Sequence, residues 1–80
     1  MNVAAIKKLV EAYSIQQLNQ AEDDLMNERT LSIEIDGEDE GEKLTHILAA
    51  VFCKQEMEKS AININQAVRL YSQRVRDSIN

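Results

Sequence analysis

Apolar residues recur every three or four positions over most of the chain, which is the spacing of amphipathic helices. The spacing predicts a first helix from Val3 to Tyr13. Ser14 and Gln17 have the spacing of a capping box, so we expect a break at Tyr13–Ser14 and a second helix directly after it. The residues expected to face inward on the second helix are Ile15, Leu18, Ala21, Leu25 and Met26.

The period changes to two between residues 30 and 36. Leu31, Ile33 and Ile35 alternate there with polar residues, and two of the three are β-branched. This pattern predicts a short β-strand with one buried face. An acidic turn with two glycines, Gly37 and Gly41, follows it.

A third helix, from about Glu42 to Ser60, has apolar residues on two sides. One predicted face contains Leu44, Ile47, Leu48, Val51 and Phe52. A second stripe, at spacings of four, three and four, contains His46, Ala50, Cys53 and Met57. A helix that is apolar on both sides is either central in its own bundle or shared with a neighbouring chain.

The start of the last helix has two interpretations. The segment Ala61 to Asn65 could extend beside the first strand, or Asn63 could cap the helix with Gln66 completing a capping box. We favour the cap. The predicted inward face of the last helix contains Ile64, Ala67, Val68, Tyr71, Val75 and Ile79, and Arg69 and Arg76 lie on its other side. The fold class is therefore a mainly α, single domain over residues 1–80: four helices in a compact arrangement, with one short strand at about 30–36 before the central third helix.

The composition and charge exclude several classes of partner. The chain has 80 residues, is 44% hydrophobic, contains three aromatic residues and has a net charge of −5. Between Glu22 and Glu42 there are ten acidic residues and one basic residue, Arg29. Binding to nucleic acid or to an anionic membrane needs a positive field, so we expect neither partner. Without a signal peptide or an apolar run of roughly 18 residues, we expect a cytoplasmic protein.

The candidate chemical groups do not form a complete motif. The acidic run from Asp36 to Glu42 resembles the start of an EF-hand loop. However, Lys43 stands at the eighth position, where an apolar residue is usual, and Ile47 stands at the twelfth, where a bidentate glutamate is needed. His46 and Cys53 are seven residues apart on one helix, about 10.5 Å along its axis, which is too far for a direct hydrogen bond. Glu42 and His46 are helix neighbours without a third metal ligand. We therefore predict no catalytic, cofactor-binding or metal-binding residues.

The chain resembles a known family in two segments. The start, Met-Asn-Val-Ala-Ala-Ile-Lys-Lys-Leu-Val, and the stretch from Ser32 to Ala50 are similar to a family of short bacterial single-domain proteins of unknown function. The resemblance covers nearly the full length. It implies a stand-alone domain and no particular activity.

Self-association is the function that the pattern favours. With a single cysteine, the chain has no intrachain disulfide, and small domains commonly gain stability from a partner. We expect a small, noncatalytic, homodimeric module that binds proteins, with the partner protein unidentified. The alternative is a minor metal-dependent or thiol-dependent enzyme that uses the acidic loop or His46 and Cys53. The candidate dimer interface comprises His46, Ala50, Cys53, Met57, Leu31, Ile33 and Ile35.

Overall fold

Four α-helices build the domain. The computed structural model describes residues 2–79, and the side chains of residues 2–78. The helices are α1 (Val3–Ala12), α2 (Ile15–Met26), α3 (Glu40–Ser60) and α4 (Ile64–Ile79). The predicted mainly α, four-helix architecture is confirmed. The long helix α3 packs against α1, α2 and α4, so it is the centre of the domain.

Side-chain caps fix the starts of all four helices, and at α1 the Asn2 side chain accepts the Ala5 N–H at 3.2 Å. Ser14 and Gln17 form the predicted capping box at the start of α2, with hydrogen bonds of 2.9 and 3.1 Å. Asn63 and Gln66 form the second predicted box, so α4 begins at Ile64, directly after this cap, and the segment does not extend beside the 30–36 segment. Helix α3 begins two residues before the predicted start, because the Asp39 carboxylate accepts the Glu42 N–H at 2.7 Å.

The ends of α2 and α3 use the left-handed backbone conformation without glycine. Glu28 has φ 57° and Ala61 has φ 54°. After α2, the Glu28 N–H donates to the Leu25 carbonyl at 3.3 Å and the Arg29 N–H donates to the Asp24 carbonyl at 2.7 Å. These two bonds form a Schellman motif, which normally has glycine in the position of Glu28. The chain therefore turns sharply away from α2 before it reaches α3.

The predicted strand at 30–36 is not confirmed. Within residues 2–79 the structure has no strand, and no ladder of backbone hydrogen bonds joins this segment to another. The predicted directions of the side chains are nevertheless correct: Ile35 is 6% exposed, and Leu31 and Ile33 are half-buried. The segment is held by single hydrogen bonds, including one of 3.3 Å from the Glu34 N–H to the Tyr13 hydroxyl.

The core is aliphatic and lies around α3. Its fully buried members include Ile6, Leu18 and Ile47. Met26 was expected to face inward with Leu18, but it is 67% exposed because α2 ends there and no neighbouring helix covers it. None of the described helices combines the length and the apolar character that crossing a membrane requires.

Candidate interaction surface

The two predicted sides of α3 do not separate into a core face and an interface: Ile47, from the first predicted face, is fully buried as expected. His46, Ala50 and Cys53 are buried inside the single chain, and Met57 is half-buried. Leu48, which was expected in the main core, is 43% exposed. The helix is apolar on both sides because it is central in its own bundle. The buried side chains of the candidate interface consequently leave no surface there for a partner.

His46 connects three parts of the chain. Its Nδ1 lies 2.8 Å from the carbonyl oxygen of Asp36, and its Nε2 accepts the Asn2 N–H at 3.3 Å. A neutral imidazole with its proton on Nδ1 satisfies both bonds. His46 thereby ties the start of α1 and the segment before α3 to α3 itself. Both ring nitrogens are already used in these structural bonds.

Cys53 is in an environment that suppresses thiol reactivity. Burial raises its pKa from 9.0 to about 11, so the thiol is protonated at neutral pH. The thiolate is the nucleophilic form of cysteine, and reactive cysteines have lowered rather than raised pKa values. Burial likewise raises the pKa of the Tyr71 hydroxyl, with a smaller contribution from the Cys53 charge.

Acidic side chains between Glu22 and Glu42 cap a helix and form ion pairs. Asp39 caps α3, and Asp36 pairs with Lys8 at 3.5 Å. Arg29 pairs with both Asp23 and Asp24, the latter at 3.1 Å. Over the described residues, no group of three or more histidine, cysteine, aspartate or glutamate side chains is placed to hold a metal ion.

An apolar stripe of larger residues follows the uncovered side of α3. We call Leu44, Leu48 and Phe52 the outer stripe; they are spaced by four residues and so lie on one helical ridge. Leu44 and Phe52 are half-buried, on either side of the exposed Leu48. The outer stripe is the apolar surface that the neighbouring helices leave open.

The outer stripe ends in an open groove between α3 and α4. The groove has a volume of about 560 Å³ and is lined by Phe52, Glu56, Leu70, Gln73, Arg74, Asp77 and Ser78. Leu70 is 40% exposed. The Arg74 guanidinium lies 5.3 Å from the centre of the Phe52 ring, a cation–π distance, and the Phe52 and Tyr71 rings are 5.5 Å apart. The charged end of Arg74 therefore lies beside the apolar lining of this groove.

The other end of the outer stripe enters a smaller cleft between α2 and α3. This acidic cleft has a volume of about 240 Å³ and is lined by Leu25, Met26, Glu28, Glu40, Gly41 and Leu44. Leu44 belongs to the acidic cleft and Phe52 to the groove, with Leu48 between them. The exposed Met26, the outer stripe and Leu70 thus follow one face of the domain.

The charged residues at the two ends of this face are free of intrachain ion pairs. Among the described residues, ion pairs join Lys8 to Asp36 and Arg29 to two aspartates. Arg74, Glu56 and Asp77 in the groove make none, and neither do Glu28 and Glu40 in the acidic cleft. These five groups are available to a partner that covers the face.

The fold and this surface together define a small helical domain with an uncovered apolar ridge on its central helix. The chain belongs to a family of unknown function (DUF6952), whose model matches residues 1–80. The resemblance that the sequence suggested is confirmed. No curated protein and no solved structure matches the chain.

The sequence contained a signal that distinguishes the two stripes. Three of the five buried side chains of α3, those of Ala49, Ala50 and Cys53, are small, whereas the outer stripe is made of larger residues. Small residues let neighbouring helix axes approach closely, so they mark the sides of α3 that other helices contact. Side-chain size could have located only part of the covered surface, because His46 and Ile47 are buried without being small.

Proposed function

We propose that this protein is a noncatalytic interaction module that forms a homodimer through the outer stripe of α3. The observation that carries the proposal is the exposure of Leu48, 43%, in the middle of an apolar ridge. Leu44 and Phe52 extend the ridge on both sides. Covering it removes apolar area from water at about 25 cal/mol per Å².

The shape of this surface supports a second copy of the same chain as the partner that covers the outer stripe. A two-fold interface uses the same patch on both subunits, so the patch must be able to contact itself. The outer stripe meets this condition because it is centred on Leu48 and has apolar residues at equal spacing on both sides. A domain of 80 residues also gains stability from any apolar surface that it buries in a partner.

This interface replaces the one predicted from the sequence. Ile35, at 6% exposure, offers a partner little surface, and His46, Ala50 and Cys53 offer almost none. The raised pKa of Cys53 and the two engaged nitrogens of His46 argue for a noncatalytic role. The lack of a nucleic-acid partner stays a prediction, supported by the acidic composition. A cytoplasmic location also stays a prediction.

The test is the molar mass in solution, measured by light scattering coupled to size exclusion at several concentrations. The wild-type chain of 9.1 kDa should have twice this mass at micromolar concentration or above. Leu48→Asp should have the mass of one chain and keep its helical circular dichroism. Asn19→Asp, which adds the same charge on the exposed side of α2, should stay dimeric. A wild-type protein that keeps the mass of one chain up to hundreds of micromolar would show the proposal to be wrong.

A further inference from the structure

We propose that the face containing the outer stripe also binds a cationic amphipathic helix, which competes there with the second copy of the chain. This partner rests on the proposed function in one respect, since it uses the outer stripe as a contact surface. It goes beyond that function because it has a chemistry that this chain itself does not supply at the face.

The charged side chains around this face are mainly acidic. The groove between α3 and α4 contains Glu56, Asp77 and Arg74, and the acidic cleft between α2 and α3 contains Glu28 and Glu40. Four carboxylates and one guanidinium give the two linings together a net charge of −3. None of these five groups belongs to an ion pair among the described residues. Basic groups are therefore the charges with which a partner complements this face.

The shape of the face favours a helical partner. The outer stripe is a ridge of residues four apart, about 12 Å long from Leu44 to Phe52, and the exposed Met26 and Leu70 extend the same face. Ridges of this spacing pack into the grooves of another α-helix. An added β-strand would need a free sheet edge, and residues 2–79 contain no strand. We therefore expect a helix whose apolar side contacts the outer stripe and whose borders carry lysine or arginine.

A second copy and a cationic helix meet this face with opposite electrostatics. In the homodimer two faces of the same negative charge come together, so charge opposes the dimer while apolar contact at Leu48 favours it. A cationic helix gains the apolar contact and electrostatic attraction together. Dissolved salt screens both the repulsion and the attraction. Raising the NaCl concentration from about 50 to about 500 mM should therefore strengthen the dimer and weaken the binding of the helix.

The lining charges should change the affinity for the helix according to their sign. Arg74, whose guanidinium lies 5.3 Å from the centre of the Phe52 ring, has the sign that repels a cationic partner. Arg74→Gln should therefore lower the dissociation constant of the helix by about threefold, and Glu56→Gln should raise it by about threefold. The matched control is Glu11→Gln on α1, an exposed carboxylate outside both linings, which should leave the constant nearly unchanged. Equal effects of Glu56→Gln and Glu11→Gln would overturn the inference.

The probe is a fluorescently labelled synthetic peptide of about 18 residues with leucine and lysine at helical spacing. Fluorescence anisotropy should show that the wild-type protein binds it about tenfold more tightly than a scrambled peptide of the same composition or a peptide with glutamate in place of lysine. Leu48→Gln should raise the dissociation constant of the leucine–lysine peptide by about fivefold. Equal binding of the scrambled peptide, or no effect of Leu48→Gln, would overturn the inference, because the attraction would then be nonspecific.

Light scattering with and without the peptide separates this partner from the proposed homodimer. Saturating peptide should convert the wild-type dimer into a complex that contains one copy of the chain. A dimer that binds no peptide, or that keeps both copies when the peptide is bound, would overturn the inference while the proposed function stands. A wild-type protein that stays monomeric but binds the peptide through Leu48 would overturn the homodimer and leave the cationic helix as the partner. A monomer that does not bind the peptide would overturn both.

Discussion

The buried stripe and the outer stripe of α3 lie on the same helix, yet the first is buried and the second is partly exposed. The buried stripe, His46, Ala50 and Cys53, lies where neighbouring helices pack on α3, and its members are small or form hydrogen bonds. The outer stripe, Leu44, Leu48 and Phe52, is larger and lies partly in the open. The difference follows from which sides of α3 the other helices cover, because Ile47, as large as the leucines of the outer stripe, is fully buried on the same helix.

The two stripes also differ in what they provide. The buried stripe fixes the position of α3, since close packing leaves no space for a larger or charged group. The outer stripe contributes less to the fold, because its residues already contact water in the single chain. Substitutions in the buried stripe should therefore change stability, and substitutions in the outer stripe should change association.

The largest effect is expected from Ala50→Asp. Ala50 is fully buried, and a carboxylate there would be desolvated without a partner, at a cost on the order of 4 kcal/mol or more. This is a large share of the stability of a small domain, so the variant should be mostly unfolded by circular dichroism. Leu48→Asp, two residues away, should remain folded. An Ala50→Asp protein with wild-type stability in urea would contradict the assignment of the buried stripe.

The comparison also explains how far the sequence predicts this structure. Local signals were reliable: both capping boxes, at Ser14 and Asn63, form as predicted, because each depends on residues three positions apart. The strand was not confirmed because pairing depends on a second segment, and alternation at Leu31, Ile33 and Ile35 says only which side chains face inward. The burial of His46, Ala50 and Cys53 within the single chain was not predictable for the same reason, since the contacts of α3 with three other helices are not local.

The second prediction concerns the hydrogen bonds of the buried stripe. His46→Ala removes the partners of the Asn2 N–H and the Asp36 carbonyl and leaves a cavity, so the free energy of unfolding should fall by about 3 kcal/mol. Urea denaturation followed by circular dichroism, at a fixed protein concentration, measures it. Thr45→Ala, the exposed neighbour, should change the free energy by less than about 1 kcal/mol. If the free energy of unfolding of His46→Ala fell by less than about 1 kcal/mol, water would have replaced the imidazole in these hydrogen bonds.

The third prediction concerns the thiol of the buried stripe and its pH dependence. The pKa of Cys53 is about 11 in the folded protein, above its ordinary value of 9.0. Between these two values the unfolded chain releases the thiol proton and the folded chain retains it. The contribution of Cys53 to stability is therefore fully present below pH 9 and is lost as the pH rises towards 11.

The measurement for Cys53 is a comparison with Cys53→Ala. The free energy of unfolding of the wild-type protein should fall more steeply between pH 9 and 11 than that of the variant, in which the other titrating groups are the same. Reaction with an aromatic disulfide reagent at pH 8 should also be slow unless urea is added. Rapid labelling of the folded protein would mean that the buried stripe opens to solvent.

The smallest effect on stability is expected at the centre of the outer stripe. Leu48→Gln keeps the helix propensity nearly constant and removes only apolar contact, and the side chain is already 43% exposed. The free energy of unfolding of the monomer, measured at a concentration below dimer formation, should change by less than about 1 kcal/mol. At higher concentration the wild-type protein should become more stable and Leu48→Gln should not, because association stabilises only the folded state that dimerises. If the two proteins gain stability equally with concentration, the outer stripe is not the surface through which this chain associates.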